Sequence, residues 1–194
     1  MSKQTQLNQL NKKMLACKKC ALCATCQQVV PGEGSANAKI LFIGEGPGKK
    51  EDELGRPFVG SAGKFLDEML AIIKLKREDV YIANIVKCRP PENRDPLPQE
   101  AITCWPWLLE QIKIIQPKLI VTLGRHSMER FLPNHKISQM HGTLVIKTIP
   151  EIGKQNFYTL YHPAAALYNG SMRKTLITDF KKIPNVLEKI KQEK

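Results

Sequence analysis

The sequence contains no apolar run long enough to span a bilayer, and its first residues, Met1 to Asn11, are too polar for a secretory signal. These absences argue against a helical membrane protein and predict a cytoplasmic location. Internal repeats and low-complexity tracts are also missing, which excludes solenoids and disordered tails. Aromatic residues make up only 6% of the chain and apolar residues 42%, the profile of an ordinary globular protein. Acidic residues are scarce: 18 stand against 30 Lys and Arg, a formal charge of +12. Such a basic excess points to a polyanionic partner, nucleic acid ahead of an anionic membrane surface. With 194 residues the chain can build one well-cored domain, and a single domain over 1–194 is expected.

What is present begins with periodicity. Residues 4–16 carry Leu7, Leu10 and Leu15 at near-helical spacing. Lys39–Ile43 (KILFI), Val80–Val86 (VYIANIV) and Leu119–Leu123 (LIVTL) read as strands, with Leu144–Ile149 and Phe157–Leu160 as further candidates. Between them, Gly63–Lys74 and Glu100–Ile115 have helical spacing, and Pro106 predicts a kink or a late start in the second. A short helical stretch follows Gly124 as far as Leu132. The basic tail Met172–Ile190 reads as an amphipathic helix interrupted by Pro184. Cys88–Gln99, rich in proline and charge, must be loop. Alternation of short strands and helices predicts an α/β protein with a mostly parallel sheet covered on both faces. Sites in such folds collect at the carboxyl ends of the strands, here the loops 44–48, 84–94, 124–126 and 162–168.

In a reducing compartment six cysteines point to metal ligands or buried thiols rather than to disulfides. Four of them, Cys17, Cys20, Cys23 and Cys26, are evenly spaced, while Cys88 and Cys104 lie far downstream. No second CxxC stands at the distance from the first that a zinc ribbon uses. Thiolates at these spacings suit zinc or an iron–sulfur cluster. Two ligand sets compete, the local run 17, 20, 23 and 26 and the long-range set 17, 20, 88 and 104. Spacing does not choose between them.

The glycine-rich turn Gly44-Glu-Gly-Pro-Gly48 satisfies neither the P-loop nor the dinucleotide pattern. Its unusual member is Glu45, a carboxylate at a strand mouth where backbone can approach a ligand. His162 stands at a strand end before Pro163-Ala-Ala-Ala166, unlike His126, His135 and His141, which read as surface groups. Phe58, in Gly55-Arg-Pro-Phe-Val-Gly60, is an aromatic in a constrained turn and a candidate platform for a flat ligand.

Taken together, the residues resemble the family 4 uracil-DNA glycosylases, the iron–sulfur type of bacteria and archaea. The matching segments are CKKC at 17–20, GEGPG at 44–48, GRPFVGSAG at 55–63, NIVKCRPPENRDP at 84–96, Cys104, PKLIVTLG at 117–124 and HPAAAL at 162–167. The resemblance implies a three-layer α/β/α sandwich around a small, mostly parallel four-stranded sheet. It also implies one structural 4Fe–4S cluster on Cys17, Cys20, Cys88 and Cys104, tying the 17–26 segment to the 88–104 loop. Cys23 and Cys26 depart from the family pattern.

The implied activity is hydrolysis of the N-glycosidic bond of a uracil flipped out of DNA, leaving an abasic site for base excision repair. Phe58 would stack on the ring and Asn84 would read its edge. His162 would donate to O2, and the backbone of Gly44, Glu45 and Gly46 would contact the base. Glu45 would orient the attacking water or crowd C5, and Glu51 could share the water role. Arg89, Arg94, Arg173 and Lys174 are candidate phosphate contacts, and the 164–167 loop a candidate wedge. Two alternatives accompany this reading: an inactive iron–sulfur nucleic-acid-binding module of the same fold, and a glycosylase of broader deaminated-base range. The expected partner is uracil-containing DNA, single- or double-stranded, met by a monomer in the nucleoid. A sliding-clamp contact has no readable motif.

Overall fold

Four strands whose residues are all buried, or become so toward the carboxyl end, form the centre of the protein. A computed structural model describes residues 1–192. β1 is Glu33–Gly34, β2 Ile40–Gly44, β3 Tyr81–Asn84, β4 Leu119–Leu123, β5 Leu144–Ile149 and β6 Gly153–Leu160. They lie in the order β1-β3-β2-β4-β6-β5. Pairings β3–β2, β2–β4 and β4–β6 are parallel, while the edge strands β1 and β5 pair antiparallel. The sheet therefore has six strands rather than the four expected. The parallel core supplies four of them. The two additions sit at the edges, where β1 is only two residues long and carries no apolar pattern.

Side chains alternate across the sheet and feed two separate cores. Leu41, Ile43, Tyr81 and Ile120 pack on one face. There they meet Leu7, Leu10 and Met14 of α1 (Lys3–Leu15) and Leu108 and Ile112 of α4 (Pro98–Ile115). Ile40, Phe42, Ile82 and Val121 point to the other face. They are covered by Phe65 and Met69 of α3 (Ser61–Ile72), Leu176 and Phe180 of α7 (Gly170–Phe180), and Ile183 and Val186 of α8 (Ile183–Gln192). Helices on both faces of a largely parallel sheet make the α/β/α sandwich that alternation predicted.

Helix α4 runs without a break through Pro106, contrary to the expected kink or late start. The amide missing at Pro106 strands the carbonyl of Ile102, which is an exposed residue, so water can serve that oxygen. Pro184 occupies the first turn of α8, where a missing N–H costs nothing. The tail accordingly divides at Lys181–Lys182, just ahead of the proline.

Three shorter helices complete the α-helices among the described residues: α2 (Lys49–Leu54), α5 (Arg125–Phe131) and α6 (Ile137–Met140). Helix α2 has no apolar stripe for sequence to show. Its one buried residue is Asp52, whose Oδ1 accepts from the amides of Gln27 and Gln28 at 2.9 and 3.3 Å. Glu51 and Asp52 in its first turn suit the helix dipole, and Gly55 closes it at φ 66°. No described helix is long and apolar enough to cross a membrane.

Candidate active site and cysteine centre

Parallel register sets Gly44 of β2 directly opposite Asn84 of β3. The pairing continues past both strand ends, with the Ile85 amide donating to Gly44 and the Val86 amide to Glu45. Here the two strands open into a cleft of about 340 Å³ between the loops. That volume is at the small end for ligand pockets and suits a nucleoside better than a duplex. Gly44, Glu45, Gly46, Phe58, Asn84 and His162 all converge on it. Gly44 must lack a side chain: a Cβ there would stand 2.5 Å from Asn84 Oδ1 and 2.7 Å from Phe58 Cζ.

Asn84 is 2% exposed, and its Oδ1 has no hydrogen-bond partner. Native interiors rarely leave such an atom unpaired. Beside it, Phe58 holds its backbone at φ 51°, a left-handed conformation unusual for an aromatic. Two clamps maintain it. Arg77 donates to the carbonyls of Pro57 and Phe58 at 2.6 and 3.0 Å, and Glu51 Oε1 accepts from the amides of Val59 and Gly60 at 2.8 and 2.9 Å. Gly63 at the start of α3 makes room, since a Cβ there would meet the Phe58 carbonyl oxygen at 1.8 Å. The Phe58 ring lies 5.7 Å from the His162 ring at an interplanar angle of 30°.

His162 caps the turn after β6, its Nδ1 accepting from the Ala164 amide at 3.2 Å. That bond leaves the ring proton on Nε2. Enclosure pushes its pKa down to about 4, with Glu51 opposing weakly, so the imidazole is neutral at ordinary pH. An unfolded chain would protonate it near pH 6.5. Stability should therefore be intact above pH 6.5 and fall as the pH drops toward 4, by up to about 3 kcal/mol from this group. Melting temperatures across that range should fall more steeply for wild type than for His162→Gln. Parallel pH curves would remove the effect.

Glu45 is half-buried at the cleft wall. Burial pushes its carboxyl above the usual range, His126 and Arg125 pull it back, and Asp95 adds to the rise. Glu51 is committed elsewhere: beyond the two bonds already named, its Oε2 accepts from the Gly48 amide at 3.2 Å. Sequence reasoning set His126 aside as a surface group, yet its Nε2 stands 3.8 Å from Glu45 Oε2 and 3.0 Å from Asp95 Oδ2. Asp95 lies in the matching segment 84–96 and His126 ends the named 124–126 loop, but nothing in either signals a partnership with Glu45.

The expected phosphate contacts divide. Arg94 is closed on Glu100 by bonds of 2.9 and 2.7 Å, and Arg173 pairs with Glu68 while stacking 4.2 Å above Phe65. Arg89 reaches Asn93, and Lys174 is exposed.

The cysteines converge on the other face of the sheet. Cys17, Cys20, Cys23, Cys88 and Cys104 surround a small recess, and Cys26 lies against Cys88. Cys88 and Cys104 are buried and the other four half-buried. Two N–H groups already point at sulfur: Lys87 N at 3.3 Å from Cys104 Sγ, and Trp107 Nε1 at 3.4 Å from Cys17 Sγ. No three of the thiol sulfurs lie within 4.8 Å of one another among the described residues. A single tetrahedral zinc with Zn–S near 2.3 Å would need sulfurs about 3.8 Å apart. The wider spacing, with N–H donors on sulfur and no carboxylate in the wall, suits a polynuclear iron–sulfur group better.

Residues 31–188 match the family model described as the uracil DNA glycosylase superfamily. The chain belongs to that superfamily. Within it, the chain is 48% identical to the type-4 uracil-DNA glycosylase of Sulfurisphaera tokodaii over 91% of this chain and 83% of the relative. It is 45% identical to that of Archaeoglobus fulgidus over 91% of each, and 40% to that of Thermotoga maritima over 93% and 94%.

Proposed function

We propose that this chain is a monofunctional uracil-DNA glycosylase, hydrolysing the bond between a flipped-out uracil and its deoxyribose to leave an abasic site. The observation that carries the reading is the unpartnered, buried Oδ1 of Asn84 at the back of the cleft. A buried acceptor without a donor is satisfied by the N3–H of uracil, while its amide N–H₂ meets O4. Cytosine offers an acceptor at N3 and a donor at position 4, leaving both groups mismatched. Phe58 supplies the stacking face beside this edge reader.

Departure of the base builds negative charge on uracil O2 and oxocarbenium character on the sugar. A neutral His162 with its proton on Nε2 donates to O2 as that charge grows. Glu45 orients the water that attacks C1′. Glu51 is the weaker candidate for that role, because both its oxygens already accept from backbone amides. Its part is to hold the Phe58 turn.

DNA affinity comes from phosphate contacts and falls with salt. Arg89 and Lys174 are the readiest of the candidates, while Arg94 and Arg173 would have to leave Glu100 and Glu68. Leu167 is 37% exposed and Tyr168 93%, which supports the 164–167 turn as the wedge that fills the vacated stack.

Cys17, Cys20, Cys88 and Cys104 would hold a 4Fe–4S cluster, which supplies a covalent tie between the amino-terminal segment and the loop after β3. Hydrolysis needs no electron from it. The enzyme is read as a monomer acting in the nucleoid.

The deciding experiment incubates the protein with an oligonucleotide carrying one uracil, then treats with alkali. A break at the uracil supports the glycosylase. Binding without a break favours an inactive module, and equal breakage at hypoxanthine or xanthine favours a broad-range enzyme.

A further inference from the structure

Glu45 is approached from two sides. It lines the base-sized cleft, and it also lines a second recess of about 440 Å³. His126 lines only the second. The imidazole therefore reaches the carboxylate from behind, leaving the cleft side free for water. We propose that His126, anchored by Asp95 and Arg125, is the positioning residue that holds Glu45 ionised and aimed into the cleft. This rests on the reading of Glu45 as the water-orienting carboxylate.

The anchors are explicit. Asp95 Oδ2 is 3.0 Å from His126 Nε2, and Arg125 Nη2 is 2.9 Å from the same nitrogen and 3.3 Å from Asp95 Oδ2. Two arrangements follow. Without its proton, Nε2 accepts from the Arg125 guanidinium. With it, the imidazolium faces two carboxylates, Asp95 and Glu45. The second arrangement is the one proposed: the imidazolium adds its own positive charge behind Glu45 to that of Arg125. The trio Glu45, Asp95 and His126 lies within 4.8 Å, but the guanidinium already supplies the charge that a metal ion would bring.

A catalytic carboxylate in a closing cleft needs such support, because burial favours its protonated form. Other charged groups near Glu45 have different commitments. Glu51 is spent on backbone amides, Arg94 on Glu100, and His162 is neutral through the working range. Arg130 stacks 4.4 Å over Trp105, and Glu129 lines the second recess. That leaves His126 and Arg125, opposed by Asp95, as the groups that set the charge of Glu45.

The test is the single-turnover rate of uracil excision as a function of pH for wild type, His126→Ala, His126→Gln and Asp95→Asn. For His126→Ala the rate should fall about 10-fold or more with DNA affinity unchanged. Its acidic limb should move to higher pH by about one unit, since an opposite charge within this distance typically shifts a carboxyl by that much or more. His126→Gln can still donate a hydrogen bond but carries no charge. It should recover rate on the alkaline side while keeping the displaced limb. Asp95→Asn, which removes the opposing charge, should move the limb the other way.

A merely structural histidine would lower the rate without moving the limb, and that result would overturn the proposal. So would a defect confined to DNA affinity. The failure of the underlying reading looks different: Glu45→Gln would then excise uracil at the wild-type rate. Melting curves read alongside establish that each variant is folded.

Discussion

Asn84→Ala is expected to lower the kcat/KM for uracil excision by about 10²–10³-fold while leaving the melting temperature unchanged or slightly higher. The two halves have one cause. Asn84 Oδ1 is buried without a partner in the free protein, so the native state carries the desolvation cost of an unmade hydrogen bond. Alanine removes that cost. It also removes the acceptor for N3–H and the donor for O4, interactions that hold the base in line for the developing charge on O2. Asn84→Asp separates recognition from space-filling. The carboxylate keeps an acceptor but faces uracil O4 with a lone pair, so uracil excision should fall. Discrimination against cytosine should relax, because its exocyclic amine now finds an acceptor. Competition assays with uracil and cytosine oligonucleotides, with thermal melts, measure all three outcomes. A variant that loses stability in step with activity would mean that Asn84 is a packing residue.

The second large effect concerns the cysteines. Cys88→Ser and Cys104→Ser should each abolish the brown visible absorbance of the purified protein. Cys23→Ser and Cys26→Ser should retain it. On the proposed ligand set a cluster would join residue 20 to residue 88, closing a loop of about 70 residues, and a cross-link of that span is worth about 4 kcal/mol in chain entropy. For a domain of this size that corresponds to a melting temperature lower by roughly 10 °C. Loss of colour in the Cys23 and Cys26 variants, with Cys88 and Cys104 dispensable, would reverse the assignment in favour of the local run. Iron content read by metal analysis gives the same answer independently of activity.

The parts of the molecule legible from sequence were those with a local signature. Apolar runs such as LIVTL can only be buried strands at this length, and β4 follows that reading to the residue. The cysteine spacing pointed to a metal centre, and the structure gathers five of the thiols around one recess with Cys26 against Cys88, while only the resemblance chose among the candidate ligands. Elements without a local signature stayed hidden. Helix α2 is built from Lys49 to Leu54 around a buried Asp52, so no apolar period betrays it. The edge strand β1 exists because β3 offers unpaired backbone, a tertiary cause. Pro106 broke a local rule without breaking the helix, because the stranded carbonyl faces water. In the site, chemistry-bearing residues were visible as types but their commitments were not. Glu51 looked like a second water-orienting carboxylate, yet it is held by three amides that lie up to nine residues away. His126 looked like a surface group, and only the return of α5 to the β2 loop sets it behind Glu45. Hydrogen-bond commitments made across a fold leave no periodic trace in the chain.

Phe58 owes its place to residues elsewhere in the chain. Arg77 and Glu51 hold the left-handed backbone from either side, and Gly63 must stay bare beneath it. If Phe58 is the stacking platform proposed, that platform is genetically a target several codons wide. Selection for loss of uracil excision should recover substitutions at Arg77, Glu51 and Gly63 alongside those at Phe58. Natural variation at the four positions should be constrained as one unit.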